Sequence, residues 1–97
     1  MQRLTPDEST AHLAALDGWQ IEQGTVLVKV FAFKDFVTAI NFMYQLAQTA
    51  EELNHHPDWA NSYNKVTVRL TTHEASGLTA ADFSFARAAE NVATSLS

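Results

Sequence analysis

The chain has 97 residues, of which 46% are apolar, and this size and composition fit one globular domain and exclude a disordered chain. It contains no cysteine, which excludes disulfides, thiolate metal sites and cysteine nucleophiles. Eleven acidic residues against six basic ones give a net charge of −5, and the lack of a Lys/Arg block disfavours nucleic-acid binding. We therefore expect a single domain over residues 1–97, with no membrane span and no export signal, located in the cytoplasm.

The first third of the chain predicts a short helix followed by two strands. Residues 5–8 (Thr-Pro-Asp-Glu) have a capping-box pattern that begins a helix, and Gly18 is expected to end it. Residues 19–23 and 25–33 have the pattern of strands, separated by the turn signal Gln23-Gly24. Both faces of the second strand are largely apolar. One face is expected to cover helices and the other to be partly buried by another subunit.

The middle of the chain predicts a long helix with a wide apolar surface. Asp35 is its candidate N-cap, and the helical spacing extends over residues 36–53, before the helix-breaking Pro57. The apolar arc is wide for a helix with one side in water, and it indicates packing between subunits. The arc consists of two stripes, the first with Phe36, Ile40, Met43, Ala47 and Ala50, the second with Phe42, Leu46 and Leu53.

The last third predicts two strands and a helix. Residues 58–63 fit a short strand or an extended loop, and residues 65–71 are the clearest strand in the sequence. Residues 72–78 are expected to form a loop, after which Thr79 caps a helix that runs to about Thr94. The order α-β-β-α-β-β-α predicts an α+β fold, in which a four-stranded antiparallel sheet has three helices packed on one face.

Two predicted loops hold three of the four histidines and are the best candidates for a functional site. His55 and His56 precede Pro57, and His73 follows the clearest strand. Loops at the ends of regular elements often hold functional residues, and histidine is the commonest proton-transfer group near neutral pH. Glu51 lies four residues before His55, so its carboxylate can orient that imidazole if the helix continues that far.

Each candidate also has a structural interpretation. His55 and His56 can cap the end of the long helix, with Trp59 as an ordinary core residue. Asp82 can complete a capping box at the start of the last helix. His12, on the first helix, is interpreted as structural.

A metal site is a further alternative, because imidazole and carboxylate groups are ligands of zinc. The spacing of the candidates matches no standard zinc motif, and the sequence has no nucleophile elbow and no Gly-rich phosphate loop. The residues that could form such a metal site are Glu51, His55, His56 and His73.

Several motifs together resemble the pterin-4a-carbinolamine dehydratase family. The resemblance covers about residues 4–92, and its most specific part is His-His-Pro-x-Trp at residues 55–59. Glu52 and Ser76 depart from the family pattern, and neither is a proposed catalyst. The supporting motifs are Tyr-Asn-Lys-Val at 63–66, Thr-His-Glu at 72–74, Gly-Leu-Thr at 77–79, Asp82, Phe-Lys-Asp-Phe at 33–36 and Gly-Trp at 18–19.

The resemblance implies a hydro-lyase that converts a 4a-hydroxytetrahydropterin to a quinonoid dihydropterin and water, with no metal and no bound cofactor. This reaction recycles the pterin of aromatic amino-acid hydroxylases, to which a functional link is expected. Family members are homodimers or homotetramers, which agrees with the wide apolar arc of the long helix. A binding or regulatory module that has kept the fold remains an alternative.

The resemblance also implies roles for the site residues. Loss of water from C4a needs a proton for the leaving hydroxyl and removal of a proton from a ring nitrogen, and imidazoles can do both at neutral pH. His56 and His73 are expected to transfer these protons, while His55 assists and contacts the pterin. The other expected pocket residues are Glu51, which orients a histidine or contacts the ring, Asp82, which orients His73 or lines the pocket, Thr72, and Pro57 and Trp59, which shape the pocket.

Overall fold

The computed structural model describes residues 2–96 and contains three α-helices and a four-stranded antiparallel sheet, which confirms the predicted α+β fold. The sheet order is β1-β2-β4-β3, so the two long central strands β2 and β4 pair with each other. The helices are α1 (Pro6–Leu13), α2 (Phe36–Leu53) and α3 (Ala80–Ser95), and the strands are β1 (Gln20–Glu22), β2 (Val26–Ala32), β3 (Asp58–Ser62) and β4 (Lys65–Leu70).

The three predicted N-caps begin the three helices. Thr5 and Thr79 each accept a backbone hydrogen bond in a capping box, and the Asp35 carboxylate accepts one from the backbone N–H of Thr38. The predicted stop at Gly18 is wrong, because α1 ends at Leu13. Residues 14–16 continue as hydrogen-bonded turns, and Gly18, with φ +81°, lies in the turn that leads into β1.

The core lies between the inner face of the sheet and the helices. Alternate residues of the two central strands point into it, as the period of a strand requires. Buried phenylalanines of α2 and α3 belong to the same core cluster. The fully buried large apolar residues are Leu27, Val66, Val68 and Leu70 from the strands, Phe42 and Leu46 from α2, Phe83 and Phe85 from α3, and Leu78.

Only part of the wide apolar arc of α2 faces this core. Phe36 and Ile40 from the first predicted stripe are 47% and 41% exposed, whereas Ala50 from the same stripe is buried with Phe42 and Leu46 of the second. The predicted division into two stripes is therefore corrected to a buried row and an exposed apolar flank. Within residues 2–96, no helix is long and apolar enough to cross a membrane.

Candidate functional site

The two histidine loops meet at one open cavity of about 180 Å³. The first loop leaves the end of α2, and the second connects β4 to α3. All three loop histidines line the cavity, although they come from separate parts of the chain. The lining residues are Asn54, His55, His56, Thr71, Thr72, His73 and Glu74.

The first loop begins with an abrupt end to α2. Asn54 has a left-handed backbone conformation with φ 49°, which asparagine adopts more readily than most residues. The backbone N–H of His55 then donates to the carbonyl oxygen of Ala50 at 3.0 Å, which closes the helix end. The helix therefore stops before His55. The helical geometry that would place the side chain of Glu51 beside that of His55, four residues later, is not present.

Glu51 instead contacts His56. Its carboxylate oxygen Oε2 lies 2.6 Å from His56 Nε2, and both side chains are largely exposed. This contact corrects the expectation that Glu51 orients His55. The pair gives the His56 imidazole a partner on one ring nitrogen and leaves the other nitrogen available for a ligand.

The buried carboxylate of Asp82 holds His55. Asp82 is 0% exposed, and its Oδ1 lies 2.6 Å from Nε2 of the mostly buried His55 ring. The other oxygen, Oδ2, accepts from the Thr79 backbone N–H and from the Thr72 hydroxyl, each at 2.9 Å. The expectation that Asp82 orients His73 is therefore corrected, because its imidazole partner is His55.

Two buried threonines complete this group. The hydroxyl oxygens of Thr72 and Thr79 lie 2.8 Å apart, and both side chains are almost inaccessible to solvent. Within residues 2–96, no buried side-chain nitrogen or oxygen lacks a hydrogen-bond partner. The polar cluster behind the cavity is thus fully satisfied, as a buried polar network must be if it is not to destabilise the fold.

The second loop is closed by backbone pairing and presents His73 to solvent. Thr72 and Gly77 form an isolated antiparallel bridge, and residues 73–75 form one 3₁₀ turn between them. A Cβ at Gly77 would lie 2.5 Å from the Arg3 guanidinium, so a larger residue there would displace that exposed and flexible side chain. The His73 side chain is exposed and makes no hydrogen bond with other described residues, so it is free to meet a ligand.

Not every predicted site residue reaches the cavity wall. Four of them do not line it, namely Glu51, Pro57, Trp59 and Asp82. Glu51 and Asp82 act through the histidines that they contact, and Trp59 packs against the hydrophobic core from β3. Three residues that were assigned no role from the sequence do line it, namely Asn54, Thr71 and Glu74. The position of Asn54 was predictable from the sequence, because an asparagine just after a predicted helix is typical of a left-handed residue that ends it.

Two alternatives can be compared with the geometry. Among the described residues, no group of three or more His, Asp or Glu side chains is arranged to hold a metal ion, so Glu51, His55, His56 and His73 do not form a ligand set there. His12 stacks on Phe83 with ring centroids 5.0 Å apart, which supports its structural interpretation.

Known proteins share both the sequence and the fold. A family model described as pterin 4 alpha carbinolamine dehydratase matches residues 2–92. One relative, from Rhizobium johnstonii, is 47% identical over 96% of this chain and 93% of its own length. Another, from Brucella ovis, is 50% identical over 88% of this chain and 89% of its own length. Both relatives are provisionally named pterin-4-alpha-carbinolamine dehydratases.

Two solved structures have the same fold. A crystal structure described as a transcriptional coactivator/pterin dehydratase from Brucella melitensis is 46% identical, with a TM-score of 0.91 over 95% of this chain and 99% of that one. A pterin dehydratase-like protein, identified as a RuBisCO assembly factor in the alpha-carboxysome, is 26% identical. Its TM-score is 0.69 over 78% of this chain and 89% of its own.

Proposed function

Because this chain belongs to the pterin 4 alpha carbinolamine dehydratase family, we propose that it converts a 4a-hydroxytetrahydropterin to a quinonoid dihydropterin and water. The observation that carries the proposal is that His55, His56 and His73, from two separate loops, line one cavity. Three imidazoles on one surface supply both a proton donor and a proton acceptor near neutral pH, which is what a dehydration needs.

The proposed reaction is a balanced elimination. The bond between C4a and the hydroxyl oxygen breaks, and the leaving oxygen takes one proton to become water. The adjacent ring nitrogen loses its proton, and its electron pair forms the new double bond to C4a. No electrons are gained or lost, so the step needs only groups that move protons.

We assign the two proton transfers to His56 and His73. Both side chains are exposed at the cavity, and Glu51 fixes the orientation of the His56 ring. His55 assists from a more rigid position, since Asp82 holds one of its nitrogens. We place Thr72 in contact with the substrate, while Pro57 and Trp59 shape the loop from outside the cavity wall.

The product of this reaction is an oxidised pterin that a reductase can return to the tetrahydro form. We therefore propose that the protein recycles the cofactor of aromatic amino-acid hydroxylases. We also propose that it acts in the cytoplasm as a homodimer or homotetramer.

The proposal is tested by following the dehydration of freshly generated 4a-hydroxytetrahydropterin with the wild type, His56→Ala and His73→Ala. Removing a general acid or base is expected to slow turnover roughly 10²- to 10⁴-fold. His12→Ala is the matched control, because His12 lies outside the cavity, and it is expected to retain wild-type turnover. Circular dichroism checks that each variant is folded.

Wild-type turnover in both cavity variants would contradict the assignment of His56 and His73. A folded wild-type protein that does not accelerate the reaction would contradict the proposed activity itself. That second result would favour a binding role, of the kind named for the pterin dehydratase-like RuBisCO assembly factor.

A further inference from the structure

A chain of hydrogen bonds connects the start of α3 to the His55 ring. The Thr79 hydroxyl lies 2.8 Å from the Thr72 hydroxyl, which lies 2.9 Å from Oδ2 of Asp82. The second carboxylate oxygen, Oδ1, lies 2.6 Å from His55 Nε2. Thr79 and Asp82 are fully buried and do not line the cavity, so they can influence a ligand only through other residues.

An ionised Asp82 carboxylate fixes the direction of the hydrogen bonds around it. An ionised carboxylate only accepts hydrogen bonds, and Asp82 is surrounded by the Thr79 backbone N–H, the Thr72 hydroxyl and His55 Nε2. Thr72 has one hydroxyl proton and gives it to Asp82, so the proton between the two threonines belongs to Thr79. By the same argument, the proton between Asp82 and His55 sits on Nε2.

We infer that Thr72 and Thr79 are positioning residues that hold the Asp82 carboxylate so that His55 is fixed as the tautomer protonated on Nε2. Its Nδ1 is then left as a hydrogen-bond acceptor. The inference depends on the proposed function only for the use made of that nitrogen, since the tautomer is a property of the protein without substrate. In the neutral ring, Nδ1 of His55 can then only accept a hydrogen bond from the substrate, which is how His55 assists the two proton-transferring histidines.

Helix capping does not account for the Thr72 hydroxyl. The capping box of α3 needs the Thr79 side chain and the Asp82 carboxylate, both of which belong to the helix start. Thr72 follows β4 and lies outside this box, yet its buried hydroxyl donates to the same carboxylate. Its removal therefore separates the proposed positioning role from the cap.

The test measures the ¹⁵N chemical shifts of the His55 ring in the substrate-free protein, at a pH where the ring is neutral. The wild type and Thr72→Ser are expected to show one tautomer, protonated on Nε2. Thr72→Val keeps the shape of the side chain but removes one of the two donors that hold Oδ2 of Asp82. The carboxylate can then turn away from His55, and a mixture of tautomers is expected. A wild-type spectrum in Thr72→Val, or a wild-type ring protonated on Nδ1, would overturn the inference.

Asp82→Asn provides a second and independent variant. The two donors, Thr72 and Thr79, should bind the amide oxygen, which turns the amide NH₂ toward His55. The His55 ring is then expected to switch to the tautomer protonated on Nδ1, and retention of the Nε2 proton would overturn the inference.

Turnover provides a readout of function that is separate from the spectra. Thr72→Val is expected to lower kcat roughly 10- to 100-fold, as misplacing a catalytic group does, and Thr72→Ser to restore it. Wild-type kcat in Thr72→Val would contradict the use of the fixed tautomer in catalysis. Absence of wild-type activity, with the expected spectra, would contradict the proposed function and leave the positioning inference intact.

Discussion

At the residue scale, Asp35 shows how one carboxylate can make helix stability depend on pH. Its Oδ1 accepts from the Thr38 hydroxyl at 2.6 Å and from the Thr38 backbone N–H at 2.8 Å. The hydrogen bond from the hydroxyl has the larger effect and the one from the backbone the smaller, and together they hold the pKa of Asp35 below its ordinary value of 3.8. A carboxyl group with a lowered pKa in the folded state stabilises that state above the unfolded pKa, and this contribution is lost as the pH falls through the folded pKa.

Asp35→Asn tests this pH dependence. Asparagine is also a good N-cap but does not titrate, so it replaces a charged cap by a neutral one. The wild type is expected to be the more stable protein well above pH 3.8, and its advantage should shrink as the pH falls below that value. Urea unfolding of both proteins across the acid range measures the difference, and a difference that does not vary with pH would contradict the expectation.

The residues of the site were easier to predict than their partners. The loop positions of His55, His56 and His73 follow from local signals, and the family indicated by the motifs is confirmed. The carboxylate partners were not predictable, because a single left-handed residue, Asn54, changes which imidazole Glu51 meets. The contact between Asp82 and His55 spans 27 residues and depends on how α3 docks, which local patterns do not encode.

At the element scale, the bounds of α2 were predictable, whereas the orientation of this helix was not. Local capping chemistry places the start of α2 at Phe36, and a left-handed stop places its end at Leu53. Its apolar arc is too wide to indicate which flank meets the sheet and which stays exposed. That choice is made by packing against β4 and α3, and it buries Leu46 while leaving Ile40 accessible.

Leu46→Ala and Ile40→Ala form a matched pair for this orientation, because leucine and isoleucine are isomers. Leu46→Ala leaves a cavity in the core and is expected to cost about 2–5 kcal/mol of the free energy of unfolding. Ile40→Ala removes a partly exposed side chain and should cost less than about 1 kcal/mol in the isolated chain. Urea unfolding at low protein concentration measures both losses of stability. Similar values for the two variants would contradict the assignment of Leu46 to the buried row and of Ile40 to the exposed flank.

At the scale of the whole molecule, the exposed flank of α2 holds four of the seven large apolar side chains that are exposed among the described residues. Four large side chains lie close together along the first half of this helix, with Val37 at 74% exposed. Contiguous exposed apolar side chains often mark an interface between proteins, whereas single ones are ordinary. The flank consists of Phe36, Val37, Ile40 and Tyr44, and it is the surface on which we expect copies of the chain to associate.

Val37→Glu tests this association with little risk to the fold. Val37 lies in the first turn of α2, where a negative charge is favourable to the helix dipole. The variant is expected to have a lower molar mass in light scattering than the wild type, while Ala11→Glu adds the same charge on α1 and should leave the mass unchanged. A wild-type mass for Val37→Glu would exclude this flank from the interface.

Asp82 has two separate contacts, and this affects how active members of the family can be recognised from their sequences. Its carboxylate both closes the capping box of α3 and holds His55, so it would still stabilise the fold of a chain that had lost catalysis. Its presence is therefore poor evidence of enzymatic activity. His73 makes no side-chain hydrogen bond with the described residues, so the fold does not require it. On the proposed mechanism, the diagnostic residue for a pseudoenzyme on this scaffold is thus the exposed histidine and not the buried aspartate.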